Sequence, residues 1–191
     1  MTSYEIPRPT NGDVVDLIVT DHRLFEDLLR ELRDATADRA AARAALAEVV
    51  IAHGEAEEEQ VYPQLHRKRA ITGEEAEHGE EEHAEGNEAL LALLKCKGTD
   101  TDKFDTAVEE FATALTHHMG EEEQTILNPA RQEVSEQVRQ DLGVAWATHR
   151  NRLLEEGCAS IEQVQAIVDR ATKEGLLPPE GEKEDEDKEK D

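Results

Sequence analysis

The sequence is poor in aromatic residues and in positive charge, and each shortage excludes a class of protein. Phe, Trp and Tyr make up only 3% of the 191 residues, so the core must be built from aliphatic side chains such as Leu, Val and Ala. The formal net charge of −25 would repel phosphate groups, which proteins bind through Lys and Arg. Nucleic acids and membrane surfaces are therefore not expected as partners.

The sequence also lacks long apolar segments and is short of cysteine. No apolar run approaches the ~20 residues that a membrane-spanning helix needs, and the first ten residues, MTSYEIPRPT, lack the basic start and apolar segment of a secretory signal. We therefore expect a soluble protein in the cytoplasm. Its two cysteines, Cys96 and Cys158, are expected to be free thiols because the cytosol is reducing.

What the sequence does contain is a repeated helical pattern. Apolar residues recur at steps of three and four, which indicates amphipathic helices. Long helices are predicted over about 13–34, from about 38 with a kink or end at Pro63, after Gly73, and after the turn CKGTD. Asn128 is interpreted as the N-cap of a fifth helix, and a sixth is expected over about 160–171. The predicted fold class is all-α, an antiparallel up-and-down four-helix bundle with one or two extra C-terminal helices.

The same patterns divide the chain into four parts. The predicted parts are an N-terminal arm over 1–12, the four-helix bundle over 13–130, additional helices packed on the bundle over 131–175, and an acidic tail over 176–191. The tail, which ends in PPEGEKEDEDKEKD, is expected to be disordered because it has almost no apolar surface to bury.

Histidines precede glutamates at a spacing that suits a shared ligand site. Residues i and i+4 of a helix lie about 40° apart on one face. With 46 acidic residues among 191, about two of the eight histidines would show an acid at this spacing by chance. The sequence has five such pairs: His22/Glu26, His53/Glu57, His78/Glu82, His117/Glu121 and His118/Glu122.

The positions of the histidines relative to the turns are stronger evidence for a shared site than the number of His/Glu pairs. In an up-and-down bundle, residues at equal depth on neighbouring helices are equidistant from the loop between them. The midpoint of His22 and His53 falls in the first predicted turn, and that of His83 and His118 falls in the GTD turn. One histidine per helix is therefore expected near a common level. Together with two glutamates, the predicted metal ligands are His22, His53, Glu57, His83, His118 and Glu122.

A metal would compensate for the cost of burying these groups. Four imidazoles and two carboxylates suit iron, manganese or zinc better than calcium or magnesium. Six protein ligands are too many for one tetrahedral zinc and fit two carboxylate-bridged ions with a position left open. The spacing alone does not choose iron over manganese.

The fourth segment leaves two ligand assignments open. Aligning its EEEQ run with the earlier one selects His117 and Glu121, whereas the loop midpoint and the apolar stripe through Leu115 favour His118 and Glu122. The two choices face about 100° apart on the helix. We take His118 and Glu122 as the ligands, with His117 as a flanking residue.

Three further residues are weaker candidates around the site. Glu26 is interpreted either as a hydrogen-bond partner of a ligand histidine or as part of a solvated helix face. Tyr62 and Trp146 are interpreted as pocket-lining residues or, more commonly for such side chains, as core residues.

Four segments of the sequence, in order, resemble the motifs of the hemerythrin-like HHE cation-binding family. They are TDHRLFEDLLREL, HGEAEEEQVYP, EEHAEGNEALLALL and HHMGEEEQTIL, and the resemblance covers about residues 13–130. It implies a helical bundle with a non-haem diiron centre that binds O2 or a related small oxidant. It also implies that His22, His53, His83 and His118 bind the two Fe ions and that Glu57 and Glu122 bridge them.

The chain departs from the oxygen-carrier pattern of that family at two positions. The carriers have HxxxH on the third helix, whereas His83 is followed four places later by Asn87, and their last motif, HxxxxD, is replaced by His118 and Glu122. One fewer imidazole leaves more open coordination, which favours reaction with H2O2 or NO over simple carriage. The expected function is binding of O2, H2O2 or NO, with a peroxide-decomposing enzyme or an iron-responsive binding module as alternatives and the protein partner unknown.

Overall fold

The computed structural model describes residues 4–178, and this part of the chain consists of helices and connecting segments without a strand. It therefore confirms the all-α class, whereas most of the predicted acidic tail lies outside the described residues. The α-helices are α1 (Val14–Arg33), α2 (Arg39–Gln60), α3 (Tyr62–Arg67), α4 (Gly73–Leu94), α5 (Asp102–Glu122), α6 (Asn128–Glu133), α7 (Glu136–Glu156) and α8 (Ile161–Glu174). A π-helical turn, Glu123–Leu127, joins α5 to α6.

Side-chain caps fix where the long helices begin. Each cap accepts a hydrogen bond from a backbone N–H of the first turn, which would otherwise have no partner. The caps of the first five long helices are Asp13, Asp38, Thr72, Thr101 and Ser135. Thr72 forms a reciprocal capping box with Glu75. These caps set the depth of every side chain that follows, including the histidines.

The prediction that Asn128 is an N-cap was wrong, although a helix, α6, begins at Asn128 with Pro129 in its first turn; the prediction for Pro63 is confirmed. Helix α2 ends at Gln60 and α3 restarts at Tyr62, with Pro63 in its first turn. Asn128 instead has helical backbone angles, and its backbone N–H donates to the backbone oxygen of Glu123, because the chain runs from α5 through the π-helical turn directly into α6. Pro129 lacks the N–H of a regular helix, and the chain widens into the π turn immediately before it. The helical backbone is interrupted only later, between α6 and α7, where Val134 is extended.

The C-terminal helices pack against the helices that carry the predicted ligands. Helix α7 contacts α1 and α2, and α8 contacts α4, which also packs on α5. Trp146 of α7 is fully buried and lies on an apolar stripe with Leu142, four residues earlier, whereas Ile161, the first residue of α8, is exposed. Cys96 and Cys158 are both buried free thiols. Within residues 4–178, no helix has the combination of length and apolar character needed to cross a bilayer.

Gly143 allows α7 to lie directly on the segment that leads into α1. A Cβ at this position would overlap the backbone oxygen of Gly12 and would lie 3.0 Å from its carbonyl carbon and 3.2 Å from the Val14 nitrogen. All three obstacles are backbone atoms, so no side chain can move aside. Only glycine therefore permits this contact.

Gly143→Ala is expected to lower the free energy of unfolding by about 1–3 kcal/mol, because the overlap must push α7 away from α1. Gly120→Ala is the matched control: its Cβ would meet nothing within 4 Å, and alanine in a helix should stabilise by about 0.5–1 kcal/mol. Urea unfolding followed by circular dichroism measures both. Equal stabilities of the two variants would contradict the close contact.

Candidate metal centre

The six predicted ligands converge in the interior from four helices. His22 comes from α1, His53 and Glu57 from α2, His83 from α4, and His118 and Glu122 from α5. Their exposed fractions run from 0% for Glu57 to 8% for His83, so all six side chains are withdrawn from water. The four histidines that were expected at one depth therefore lie in one cluster with the two glutamates.

Each of the two glutamates lies between imidazoles of different helices. Glu57 places Oε1 3.0 Å from Nε2 of His53 and Oε2 3.3 Å from Nε2 of His83. Glu122 places Oε2 3.1 Å from Nε2 of His22 and 3.9 Å from Nε2 of His118. Each carboxylate therefore lies where it could bind two neighbouring cations.

The other ring nitrogen of every histidine contacts a carboxylate on the next helix. The Nδ1 contacts are His53 with Asp21 at 3.2 Å, His83 with Glu58 at 2.9 Å, His118 with Glu82 at 3.2 Å and His22 with Glu123 at 2.9 Å. Since an ionised carboxylate only accepts, each Nδ1 carries the proton and donates. The supporting helices run in a closed ring: α1 supports α2, α2 supports α4, α4 supports α5, and the turn after α5 supports α1.

This ring fixes the tautomer, so that four inward-facing nitrogens have no hydrogen-bond donor and face the carboxylates of Glu57 and Glu122. With Nδ1 protonated, the neutral imidazole has a lone pair at Nε2. In the described part of the chain, Nε2 of all four histidines is buried and forms no hydrogen bond, and the same is true of three of the four oxygens of Glu57 and Glu122. Such groups are costly to bury unpaired. A cation among them would satisfy all of them at once.

The electrostatics of the cluster also call for positive charge. Burial by itself lowers the pKa of His53, but the carboxylates of Glu57 and Asp21 outweigh it and raise the pKa to about 9. The pKa of His83 is raised well above its usual value because Glu57 and Glu58 outweigh burial in the same way. Burial tends to raise the pKa of Glu122, but His22 and the other imidazoles hold it below its usual range. A bound metal ion would supply the positive charge that protons on the histidines otherwise supply.

The donor atoms form two groups of the size that a metal ion requires. One consists of His22, His53 and Glu122, and the other of Glu57, His83 and His118, with the atoms of each group within 4.8 Å of one another. Each group offers two imidazoles and a carboxylate, the mixed nitrogen and oxygen set that suits iron or zinc. The residues present therefore fit a pair of transition-metal ions.

His53 is held by a buried ion pair that was not predicted from the sequence. One partner of this pair lies on α7, outside residues 13–130. Arg150 of α7 is fully buried and binds Asp21 through two hydrogen bonds, of 2.6 Å from Nε to Oδ2 and 2.8 Å from Nη2 to Oδ1. The same Oδ2 accepts from Nδ1 of His53. Trp146, one turn before Arg150, presents its ring edge-on to His53 at 5.6 Å between centroids. Helix α7 therefore helps to orient a predicted ligand.

The structure separates the alternatives that the sequence left open in the fourth segment. The side chain of His117 is 63% exposed, whereas His118 and Glu122 are buried among the other ligands. Glu26 is exposed on α1, and Glu123 occupies the position beside His22 that was considered for it. Tyr62 stacks on His83 and donates a 3.1 Å hydrogen bond to Oε1 of Glu122, so it belongs to the site.

A largely apolar cavity leads from the surface to one side of the cluster. Its lining includes Phe25, Phe111 and Leu115, and it reaches His53, His83 and His118. Gly86 and Asn87 of α4 form part of its wall. Glu55 and Glu82 are the acidic residues of the lining, and most of its remaining surface is apolar, which suits a small uncharged molecule.

Comparison with known proteins identifies one match. A family model described as the hemerythrin HHE cation-binding domain matches residues 13–130, which is more than half of the chain and includes all six predicted ligands. No curated protein and no solved structure matches the chain. The match ends before α7, so Arg150 and Trp146 lie outside it.

Proposed function

Because the chain belongs to the hemerythrin HHE cation-binding domain family, we propose that it holds two Fe ions and binds O2, or a related small oxidant such as H2O2 or NO, beside them. The observation that supports this most strongly is the set of four buried Nε2 atoms without hydrogen bonds, each opposite an Nδ1 that donates to a carboxylate. Such an arrangement is costly without a cation and is the usual support for a metal-bound histidine.

In this proposal, His22 and His53 would hold one ion, His83 and His118 would hold the other, and Glu57 and Glu122 would be the carboxylates shared between them. When bound, the iron pair supplies the redox chemistry for O2 or peroxide. The protein's residues supply fixed imidazole orientations, through Asp21, Glu58, Glu82 and Glu123, and a largely apolar pocket whose wall includes Phe25 and Phe111. Residues 13–130 would form an antiparallel up-and-down four-helix bundle around the ions, with 131–175 packed on it. A cytoplasmic location stays a prediction from the sequence.

One observation favours peroxide decomposition as a second candidate function. Asn87 lies four places after His83, where the oxygen carriers of the family have another imidazole, and it lines the cavity that reaches His83. An asparagine there leaves the ligand set open on the side from which a small molecule would arrive. Open coordination on that side favours turnover of H2O2 over simple storage of O2.

Elemental analysis followed by rapid mixing tests the proposal. We expect about two iron atoms per chain and, after anaerobic reduction, a visible absorption band on mixing with O2 that reverses under argon. Steady O2 evolution on mixing with H2O2 would instead favour the enzyme. A protein that gains melting temperature with Fe(II) but reacts with neither would support an iron-responsive module. Absence of stoichiometric iron after reconstitution would refute the diiron centre.

A further inference from the structure

One acidic oxygen next to the centre remains unexplained by the six ligands. Glu82 of α4 is 6% exposed, and its Oε2 accepts the hydrogen bond from Nδ1 of His118. Its Oε1 is also buried and forms no hydrogen bond in the described part of the chain. A buried, unpaired carboxylate oxygen carries a large desolvation cost, so this atom points to a missing positive partner.

Two exposed histidines flank that oxygen. Nε2 of His117 lies 3.3 Å from Oε1 of Glu82, and Nε2 of His78 lies 3.7 Å from it. The side chains of His117 and His78 are 63% and 54% exposed, so an ion can arrive from solvent and the rings can rotate around it. His78 and the first histidine of the HH pair have no role in the interior cluster, and Glu82, the HxxxE partner of His78, contributes only its other oxygen to it.

Helix geometry explains why the three side chains meet. His78 and Glu82 are four residues apart on α4 and therefore share one face. His117 precedes His118 by one residue on α5 and points about 100° away from it. While His118 faces inward and donates to one oxygen of Glu82, His117 faces the outer side of α4 and approaches the other oxygen.

The distance from each imidazole to the shared oxygen of Glu82 fits a bound transition metal, and the two exposed rings would close on one ion by rotating. Two donors that each lie about 2.1 Å from a tetrahedral ion are roughly 3.4 Å apart, and the two imidazole–carboxylate distances of 3.3 and 3.7 Å lie on either side of that value. Two imidazoles and one carboxylate form a ligand set used for zinc with a water in the fourth position. Glu81, with Oε2 3.6 Å from Nδ1 of His78, adds negative potential beside the site.

We propose that His78, Glu82 and His117 form a separate mononuclear site for a divalent transition metal such as Zn(II), at the surface between α4 and α5. The site goes beyond the iron pair and is distinct from it, although Glu82 touches both. It does not depend on whether the interior cluster binds iron.

Equilibrium dialysis of the full-length protein against Zn(II), after reconstitution with iron, tests this site. Wild-type protein is expected to bind one zinc ion per chain more than the double variant His78→Gln/His117→Gln, whose affinity at this site should fall at least about tenfold. His66→Gln is the matched control, because His66 is an exposed histidine outside the cluster. It should bind zinc like the wild type, and circular dichroism should show that all three proteins are folded.

The outcomes separate this site from the interior one. Equal zinc stoichiometry and affinity in the wild type and the double variant would overturn the proposal and would assign any zinc to adventitious surface binding. If the protein took up no iron, zinc could also fill the interior cluster, but the difference of one ion between the wild type and the double variant would remain. Failure of the diiron proposal is therefore read from the iron content, and failure of the surface site from that difference.

Discussion

Replacement of Arg150 by methionine is expected to lower the free energy of unfolding by about 3–5 kcal/mol, the usual cost of removing one partner of a buried ion pair. The loss is large because Arg150 is fully buried and provides two hydrogen bonds to Asp21 and another, of 3.0 Å, to the backbone oxygen of Pro7. Without the guanidinium, Asp21 would remain buried with only the ring N–H of His53 as a partner. Urea unfolding at fixed iron content measures the change.

Two companion variants separate this charge effect from a general loss of packing. Arg152→Met removes an exposed arginine two residues later, which pairs with Glu156 on the surface, and should cost less than about 1 kcal/mol. The double variant Asp21→Asn/Arg150→Met should be more stable than Arg150→Met alone, because a neutral amide is cheaper to bury unpaired than a carboxylate. If Arg150→Met and Arg152→Met were equally mild, the pair would not be a structural support of the site.

The depth of the clustered histidines was predictable because it depends on local periodicity. Once a helix and its turn are located, the depth of a residue follows from its distance to the turn, and this placed His22 opposite His53 and His83 opposite His118. The midpoint of His53 and His83 falls about five residues before Gly73, and this looser fit has a structural reason. Their connection is not a tight turn at Gly73 but a segment from 61 to 72 that contains α3, and their midpoint, Lys68, lies inside it.

The carboxylates that hold the imidazoles left a partial signal in the sequence. Each is the immediate neighbour of a predicted ligand: Asp21 precedes His22, Glu58 follows Glu57, Glu82 precedes His83, and Glu123 follows Glu122. A step of about 100° turns such a residue from the interior toward the adjacent helix. In a chain with 46 acidic residues, however, acidic neighbours are common, so their role becomes visible only when the helices are assembled.

The contribution of α7 was not predictable from sequence in the same way. Arg150 is 129 residues from Asp21, and an arginine at one position of an amphipathic helix normally indicates a solvated face. The stripe through Trp146 predicted a buried face, but it could not show that the residue one turn later would pair with the residue before a ligand. Likewise, the NPA sequence is typical of a helix start after an N-cap, whereas here α6 follows directly on a π-helical turn and Asn128 is already helical.

Glu57→Gln is expected to reduce the iron content from about two atoms per chain to one or none. The two oxygens of Glu57 face Nε2 of His53 and Nε2 of His83, at 3.0 and 3.3 Å. Glutamine has nearly the same shape, but it replaces one of these oxygens by an NH2 group that cannot bind a metal, and it removes a negative charge from between the two ligand groups. At least one of the two ions therefore loses its bridge.

The same variant should lose most of the stabilisation that iron gives to the protein. A ligand present at 100 times its Kd stabilises the folded state by about 2.7 kcal/mol, so the rise in melting temperature on Fe(II) addition should shrink in Glu57→Gln as its affinity for iron falls. Glu59→Gln is the matched control, because Glu59 lies on the same helix and is exposed. It should keep about two iron atoms and the full thermal shift. A folded Glu57→Gln protein with undiminished iron content and thermal shift would mean that Glu57 does not bridge the ions, and the paired donor groups would then need a different assignment.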